Sequence, residues 1–438
     1  MIFLLVFLLM LLLFFVVLIN NYDIMSPPVW VVTGFFISAV GGALNYSIWG
    51  DISDKTVGVI VLSIAPFILG AVLGKRIRLK TNVNLAYRKR NVQNDERHLG
   101  KILVFVMNII MLVTAVLYLQ FMYQNSLIGG NYGGWQHMFS FARIALAGED
   151  ALNMGIGLSF LLKLCFGFAY VQTYIVIRDI VYHGYKSVNI LDACSVFLFL
   201  IHAILSGGRT KMLYYVVFIT TVASVLSRHK HNWDKASKSA GFKYIILGVF
   251  LGLAFFWGID KTVRGSVYGT NFELWDQFSK YISSPIYALD VFLKDPTQMK
   301  DFAETETLYP LISIMNKLGA NIPFTNNALE FVSYGNTETV ITNIYTAIRR
   351  YIHDYGYIGL CLLMFLQGII YNACYATIKA RRIQGIKLLL YGILVYPVAF
   401  YFIEERFLND LFTLTMLFQL ICIVLFWNLA KKKIDYGL

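Results

Sequence analysis

Eleven runs of apolar residues, each about 16–24 long, limit what this chain can fold into more than any other feature. A run of that length matches the hydrocarbon core of a bilayer, about 30 Å thick. At that depth no water can serve the backbone, so a helix is the form that pairs every amide and carbonyl within one segment. The pattern predicts helices at 1–19, 29–49, 56–74, 102–123, 151–177, 188–205, 211–226, 244–259, 356–377, 388–402 and 410–428. Composition agrees: 58% of the residues are hydrophobic and 14% are charged, against about 25% charged in a water-soluble domain. The expected fold class is an all-α polytopic membrane protein of about eleven transmembrane helices. Met1 to Ile19 has no basic leading segment and no small-residue cleavage site, so it reads as a retained helix.

The net charge of +12 does not point to nucleic acid, because lysine and arginine fall in short segments between apolar runs. Twenty-three of them occupy 75–101, 178–187, 228–243, 379–387 and the tail after Phe426. The opposite loops hold thirteen, eight of them in the single long loop 260–354. The positive-inside tendency therefore puts the C-terminus in the cytoplasm and, with eleven spans, the N-terminus outside. The chain divides into helices one to eight (1–259), a large outward loop (260–354), and helices nine to eleven with a basic cytoplasmic tail (355–438). The loop is too aromatic for a disordered linker. Its stretch 272–293 places apolar residues at helical spacing, with a break expected at Pro285. Amphipathic helices lying on the membrane or capping a cavity are expected there.

Several chemistries lack their motifs. There is no GxxxxGK[ST] phosphate loop and no HExxH, and the Gly155-Ile156-Gly157 fragment lacks the third glycine of a dinucleotide site. His229 and His231 have no cysteine or carboxylate cluster beside them, so no metal is expected. The five cysteines, Cys165, Cys194, Cys361, Cys374 and Cys422, sit in apolar runs without CxxC spacing, which indicates neither disulfides nor zinc.

The outward side carries Arg143, Arg209, Arg264, Arg349, Arg350 and Arg406. Arginine retained there runs against the positive-inside tendency, and its guanidinium fork suits phosphate at headgroup depth. The competing reading is snorkelling to lipid or pairing with loop carboxylates. Arg209 follows Ser206-Gly207-Gly208, a tight turn in which the backbone can approach a ligand at a helix start. A second cluster packs Asn343, Tyr345, Thr346, Arg349, Arg350, His353 and Asp354 into about three turns. In it His353 beside Asp354 suits a general base, while Asp354 as a helix cap is the plainer role. The third is Glu404-Glu405-Arg406 with Asn409 and Asp410, either a proton-accepting carboxylate group or a local ion pair. His137 and the Gly129–Gly134 turn have no sharp role, and His202 reads as an interhelical hydrogen-bonding residue.

These pieces resemble a known family. The Ser-Gly-Gly-Arg turn at 206–209, the YISSPIYALDVF stretch at 281–292 and NIYTAIRRYIHDYGYIG at 343–359 look like the O-antigen (Wzy-type) repeat-unit polymerases. So does an opening helix followed by Asp23 and Ser26-Pro27. The resemblance implies a GT-C-like glycosyltransferase of the bacterial inner membrane, acting on the periplasmic side without nucleotide, metal or other cofactor. Its partners would be undecaprenyl-pyrophosphate-linked donor and acceptor oligosaccharides, membrane lipid and a chain-length-regulating co-polymerase. The growing chain would move to the non-reducing end of a new repeat unit. By analogy outward arginines in two loops handle the pyrophosphates, the matching positions being Arg143 or Arg209 and Arg349 or Arg350. The candidate pyrophosphate-binding residues are Arg143, Arg209, Arg264, Arg350 and Arg406, and the candidate catalytic residues are Arg209, Arg349, Arg350, His353, Asp354 and Glu404. The chain departs from the family's arginine–glycine spacing, since Gly155 and Gly359 each miss the expected position by one. Two other readings share the composition: a lipid-linked oligosaccharide flippase or transporter, for which Lys163 within helix five is the relevant residue, and an O-antigen ligase.

Overall fold

The computed structural model describes residues 1–77, 97–130, 137–147, 151–233, 235–259, 274–295, 305–322, 329–336 and 340–432. In chain order the helices are α1 (Ile2–Ile19), α2 (Pro27–Leu44), α3 (Tyr46–Trp49), α4 (Asp54–Ile77), α5 (Lys101–Ile128), α6 (Met138–Ala147), α7 (Ile156–His183), α8 (Ile190–Leu205) and α9 (Arg209–Lys230). They continue as α10 (Lys235–Ile259), α11 (Leu274–Lys294), α12 (Tyr309–Lys317), α13 (Ala347–Arg381), α14 (Ile386–Leu394), α15 (Tyr396–Phe400), α16 (Phe407–Leu411) and α17 (Leu414–Leu429). Two short antiparallel ladders complete the described residues: β1 (Arg97–His98) with β4 (Lys431–Lys432), and β2 (Val332–Tyr334) with β3 (Val340–Thr342).

This is an all-α membrane protein. Among the described residues seven helices, α1, α2, α4, α5, α7, α9 and α13, are long and apolar enough to cross a bilayer. Four shorter apolar helical stretches lie at Ile190–Leu205, Gly241–Ala254, Ile386–Phe400 and Leu414–Leu429. Large side chains such as Phe14, Phe15, Ile102 and Leu112 are exposed on the outer faces, where lipid tails replace water.

The chain forms two compact units. The first comprises Met1–Asn82, Glu273–Arg381 and Leu394–Met416. Its centre is the contact of α4 with α13, where Gly70, Gly74 and Gly368 bring the backbones together. A Cβ on Gly368 would run into the Phe67 carbonyl, and one on Gly70 into that of Phe365. Small residues spaced by four allow this approach in the absence of a hydrophobic drive between helices. The second unit comprises Val83–Phe272, Arg382–Ile393 and Leu417–Leu438. Tyr170, Phe199, Tyr215 and Phe218 form its aromatic centre, with ring centroids 4.7 Å apart for Tyr170–Phe218 and for Phe199–Tyr215.

Several boundaries differ from the sequence-based expectation for local reasons. The helix expected from 151 starts at Ile156, because Asn125 Oδ1 holds the Leu152 amide at 3.0 Å. The stretch expected as one helix over 388–402 is split into α14 and α15, with Pro397 in the first turn of the second. The expected helix from 410 starts at Leu414, where Thr413 Oγ1 accepts the Met416 amide at 3.0 Å. Pro285 does not break α11. In the same stretch the Ile282 carbonyl accepts from Ser38 Oγ at 2.7 Å, a tertiary hydrogen bond that ties this helix to α2. Nor does this helix lie on a surface: Ser283 to Asp290 are all buried, and the helix packs against α2 and α4. Asp290 fixes it there by accepting from the Ser53 amide and the Thr56 hydroxyl, each at 2.7 Å.

Candidate functional site

α13 is two helices joined at Gly356, whose φ of +64° and ψ of −170° no side-chain-bearing residue adopts readily. The expected ninth span began at 356; the helical turns before that glycine carry the second sequence cluster. They start where the Ala347 amide donates to the Tyr401 carbonyl at 2.9 Å. Arg349, Arg350, His353 and Asp354 on these turns are all buried, with at most 5% exposure. Charged groups so far from solvent require partners.

Arg349 reaches two different carboxylates. Its Nη1 donates to Glu306 Oε2, and its Nη2 donates to Glu330 Oε1 at 2.8 Å. The guanidinium carbon stands 5.0 Å from the Phe292 ring centroid and 5.1 Å from that of Tyr345, so two aromatic rings help to fix the fork. Arg350 Nη1 lies 3.5 Å from the Glu306 carbonyl oxygen and 3.9 Å from Glu306 Oε2. His353 places Nδ1 2.6 Å from Asp354 Oδ1 and Nε2 3.5 Å from Glu306 Oε1. Asp354 in turn accepts the Glu306 amide at 3.0 Å, the Thr307 amide at 2.8 Å and the Thr307 hydroxyl. Glu306 is thus the common partner of Arg349, Arg350 and His353, and Asp354 holds Glu306 in place. Asp354 does not cap the helix that follows; its carboxylate is spent on the 305–307 segment.

A second buried network abuts the same turns. Tyr351 donates to Glu405 Oε1 at 2.9 Å, and Glu405 also accepts the Leu408 amide at 2.7 Å and the Asn409 amide at 3.0 Å. Gln367 donates to the Tyr351 hydroxyl at 2.9 Å and accepts from Tyr401. Burial lifts the Glu405 carboxyl above its ordinary range, against the pull of the Leu408 and Asn409 amides. For Glu330 burial also acts upward, but the Arg349 charge and its hydrogen bonds prevail, so its carboxyl lies below the ordinary range.

Of the residues singled out from sequence, Arg349, Arg350, His353 and Asp354 come together as one cluster in the first unit. Glu404 and Arg406 belong to the same unit but form their own triad, with Arg406 bound to Glu404 and, at 3.1 Å, to Asp410. The carboxylate that joins the α13 network is therefore Glu405, not Glu404. Arg143 and Arg209 lie in the second unit. Arg209 is buried and opens α9 behind Gly207, whose φ is +63°, and Arg143 Nη1 donates to the Gly207 carbonyl at 3.1 Å. The glycine turn and Arg143 thus share one place. Arg264 lies outside the described residues. His202 Nε2 is 2.8 Å from the Met111 carbonyl, an interhelical hydrogen bond. Lys163 stands over the Phe418 ring at 5.9 Å.

Sequence reasoning missed Glu306, Glu330 and Thr307. They precede Arg349 by 19 to 43 residues and sit in polar stretches without periodicity, so no local pattern ties them to it. A usable signal existed in charge balance: two adjacent arginines on an otherwise apolar approach need carboxylates from elsewhere. Among the described residues no group of three or more His, Cys, Asp or Glu is arranged to hold a metal ion. No family model, curated protein or solved structure matches this chain.

Proposed function

We propose that this chain is an O-antigen polymerase, a glycosyltransferase that joins undecaprenyl-pyrophosphate-linked repeat units on the periplasmic side of the bacterial inner membrane. On this reading the seven long helices and four shorter apolar stretches make eleven spans of a GT-C-like fold, and residues 305–354 face the periplasm. The observation that carries it is the buried Arg349–Arg350 pair, held by Glu306 and Asp354 at the head of an apolar helix.

The acceptor sugar hydroxyl attacks the anomeric carbon of the donor glycan. The bond from that carbon to the pyrophosphate oxygen breaks, and the electron pair leaves with undecaprenyl pyrophosphate. Fixed guanidiniums stabilise the charge that grows on the departing oxygens, a task for which pre-set donors are worth several kcal/mol (about 3). The hydroxyl proton goes to His353 Nε2, the nitrogen with the longer of its two contacts, while Asp354 orients the ring through Nδ1. On this reading a co-polymerase sets chain length.

Chromosomal replacement with Arg349→Ala and with Arg350→Ala, followed by lipopolysaccharide gels, tests the reading. The expected result is loss of the ladder with a single repeat unit still on the core. A full ladder from both variants rejects it, and loss of all O-antigen moves the chain to the ligase or flippase alternatives.

A further inference from the structure

The two carboxylates on Arg349 are not alike. The side chain of Glu306 is 4% exposed, anchored through its amide by Asp354 and shared with Arg350 and His353. That of Glu330 is 45% exposed and stands in a loop just before β2. Its side chain has Arg349 Nη2 at 2.8 Å and the Tyr345 hydroxyl at 3.4 Å, the latter near the outer limit of a hydrogen bond. One Nη of the fork is therefore tied to a sealed, multiply held group and the other to a half-open, weakly held one.

The fork itself does not depend on Glu330 for its aim. Glu306 holds Nη1, and the Phe292 and Tyr345 rings flank the guanidinium carbon. If Glu330 swings away, the second Nη keeps its direction and presents an unneutralised donor toward the exposed side. An ionised carboxylate and a phosphate oxygen compete for such a donor on equal chemical terms, and a pyrophosphate brings more charge and more acceptor atoms.

We propose that Glu330 is an exchangeable anion, an internal stand-in that occupies Arg349 Nη2 until a pyrophosphate group displaces it. The site takes a pyrophosphate, carried on a polyprenyl lipid or free, and Glu330 sets its affinity by competition. This deepens the polymerase reading and rests on it for the source of the anion; the competition itself is a property of Arg349 and Glu330. Substitution of Glu330 removes the competitor and tightens binding. A carboxylate that merely supports the arginine would behave oppositely, since its loss would loosen the fork.

The test uses the full chain in lipid nanodiscs and measures binding of inorganic pyrophosphate and, separately, of undecaprenyl pyrophosphate by titration. Glu330→Gln, which keeps shape and drops the charge, is expected to tighten binding about fivefold, the equivalent of one half-exposed ion pair removed from the competition. Glu306→Gln is expected to weaken it, because the fixed side of the fork is lost. Tightening with both probes assigns recognition to the pyrophosphate group, and tightening with the lipid probe alone assigns it to the lipid-borne group. Binding by Glu330→Gln that is equal to or weaker than wild type with both probes overturns the proposal. A difference infrared spectrum of the wild-type protein is a second check. Pyrophosphate should shift a carboxylate band that Glu330→Gln lacks, and an unshifted spectrum at saturating pyrophosphate also overturns it. Neither measurement needs turnover. Tighter binding by Glu330→Gln with no polymer made by the wild-type chain would leave the exchange standing and reject the polymerase. A ladder that depends on Arg349, with no tightening in Glu330→Gln, would do the reverse.

Discussion

Removal of the Asp354 carboxylate should free the 305–308 segment from the head of α13, and the size of the effect follows from what ends on that carboxylate. The Glu306 amide at 3.0 Å, the Thr307 amide at 2.8 Å and the Thr307 hydroxyl all donate to it. A hydrogen bond to a charged acceptor is worth about 1.5 kcal/mol at the low end of its range, so the two amides together contribute about 3 kcal/mol. At 1.36 kcal/mol per decade that is roughly a hundredfold in the local opening equilibrium. Amide hydrogen exchange, read by mass spectrometry on peptides from 305–318 in nanodisc-held protein, reports that equilibrium. Asp354→Ala should exchange roughly a hundredfold faster there than wild type. Asp354→Asn keeps one acceptor oxygen and should fall between, at about tenfold. Exchange in Asp354→Ala within about threefold of wild type would show that other contacts hold the segment, and the account of Asp354 as the anchor of Glu306 would be wrong.

Gly368→Leu should destabilise the first unit by about 2 kcal/mol or more, since the new side chain meets the Phe67 backbone and not a yielding side chain. An unchanged thermal midpoint in detergent would contradict the close seam of α4 and α13. Arg349→Ala should cost about 3 kcal/mol or more by leaving Glu306 buried with its best partner gone, whereas Arg406→Ala, from the partly exposed triad, should cost about 1 kcal/mol or less. Equal losses in the two variants would refute the distinction drawn from burial. The Glu330–Arg349 contact should also show in acid. Because the Glu330 carboxyl sits below its ordinary 4.5, its stabilising contribution is present above about pH 4.5 and fades as pH falls through the lowered value. The midpoint difference between wild type and Glu330→Gln should therefore shrink on acidification, and a growing difference would reverse the sign of the argument.

Sequence alone carried the membrane class, because long apolar runs have no other use at this density. It located the long helices to within a few residues at most ends, the turns of α13 before Gly356 excepted. It also singled out the turns that hold Arg349, Arg350, His353 and Asp354, whose residue types stand out against an apolar background. It did not carry the partners. Glu306 reaches Arg349 across 43 residues of chain, and Glu404 and Glu405 are indistinguishable as neighbours until burial separates them. Glu405 is fully buried and binds Tyr351, while Glu404 stays with Arg406. Pro285 misled for a related reason: the burial of 283–290 against α2 and α4 holds the helix through a residue that the sequence displays openly as a breaker. Local chemistry is written along the chain, and the compensation for it is written across the chain.

The break at Gly356 separates aiming from anchoring. In an unbroken helix, one inserted residue turns everything beyond it by about 100°, which would swing the arginines off their partners. Here the turns before Gly356 take their direction from Tyr401, Glu405 and the 305–307 segment, through the Ala347 amide, Tyr351 and Asp354. The long apolar part after Gly356 is fixed by its glycine seam with α4 and meets the earlier turns through Gln367, which donates to the Tyr351 hydroxyl at 2.9 Å. A substitution that straightened the chain at Gly356 would therefore turn the arginines away from Glu306 while the seam with α4 stayed in place.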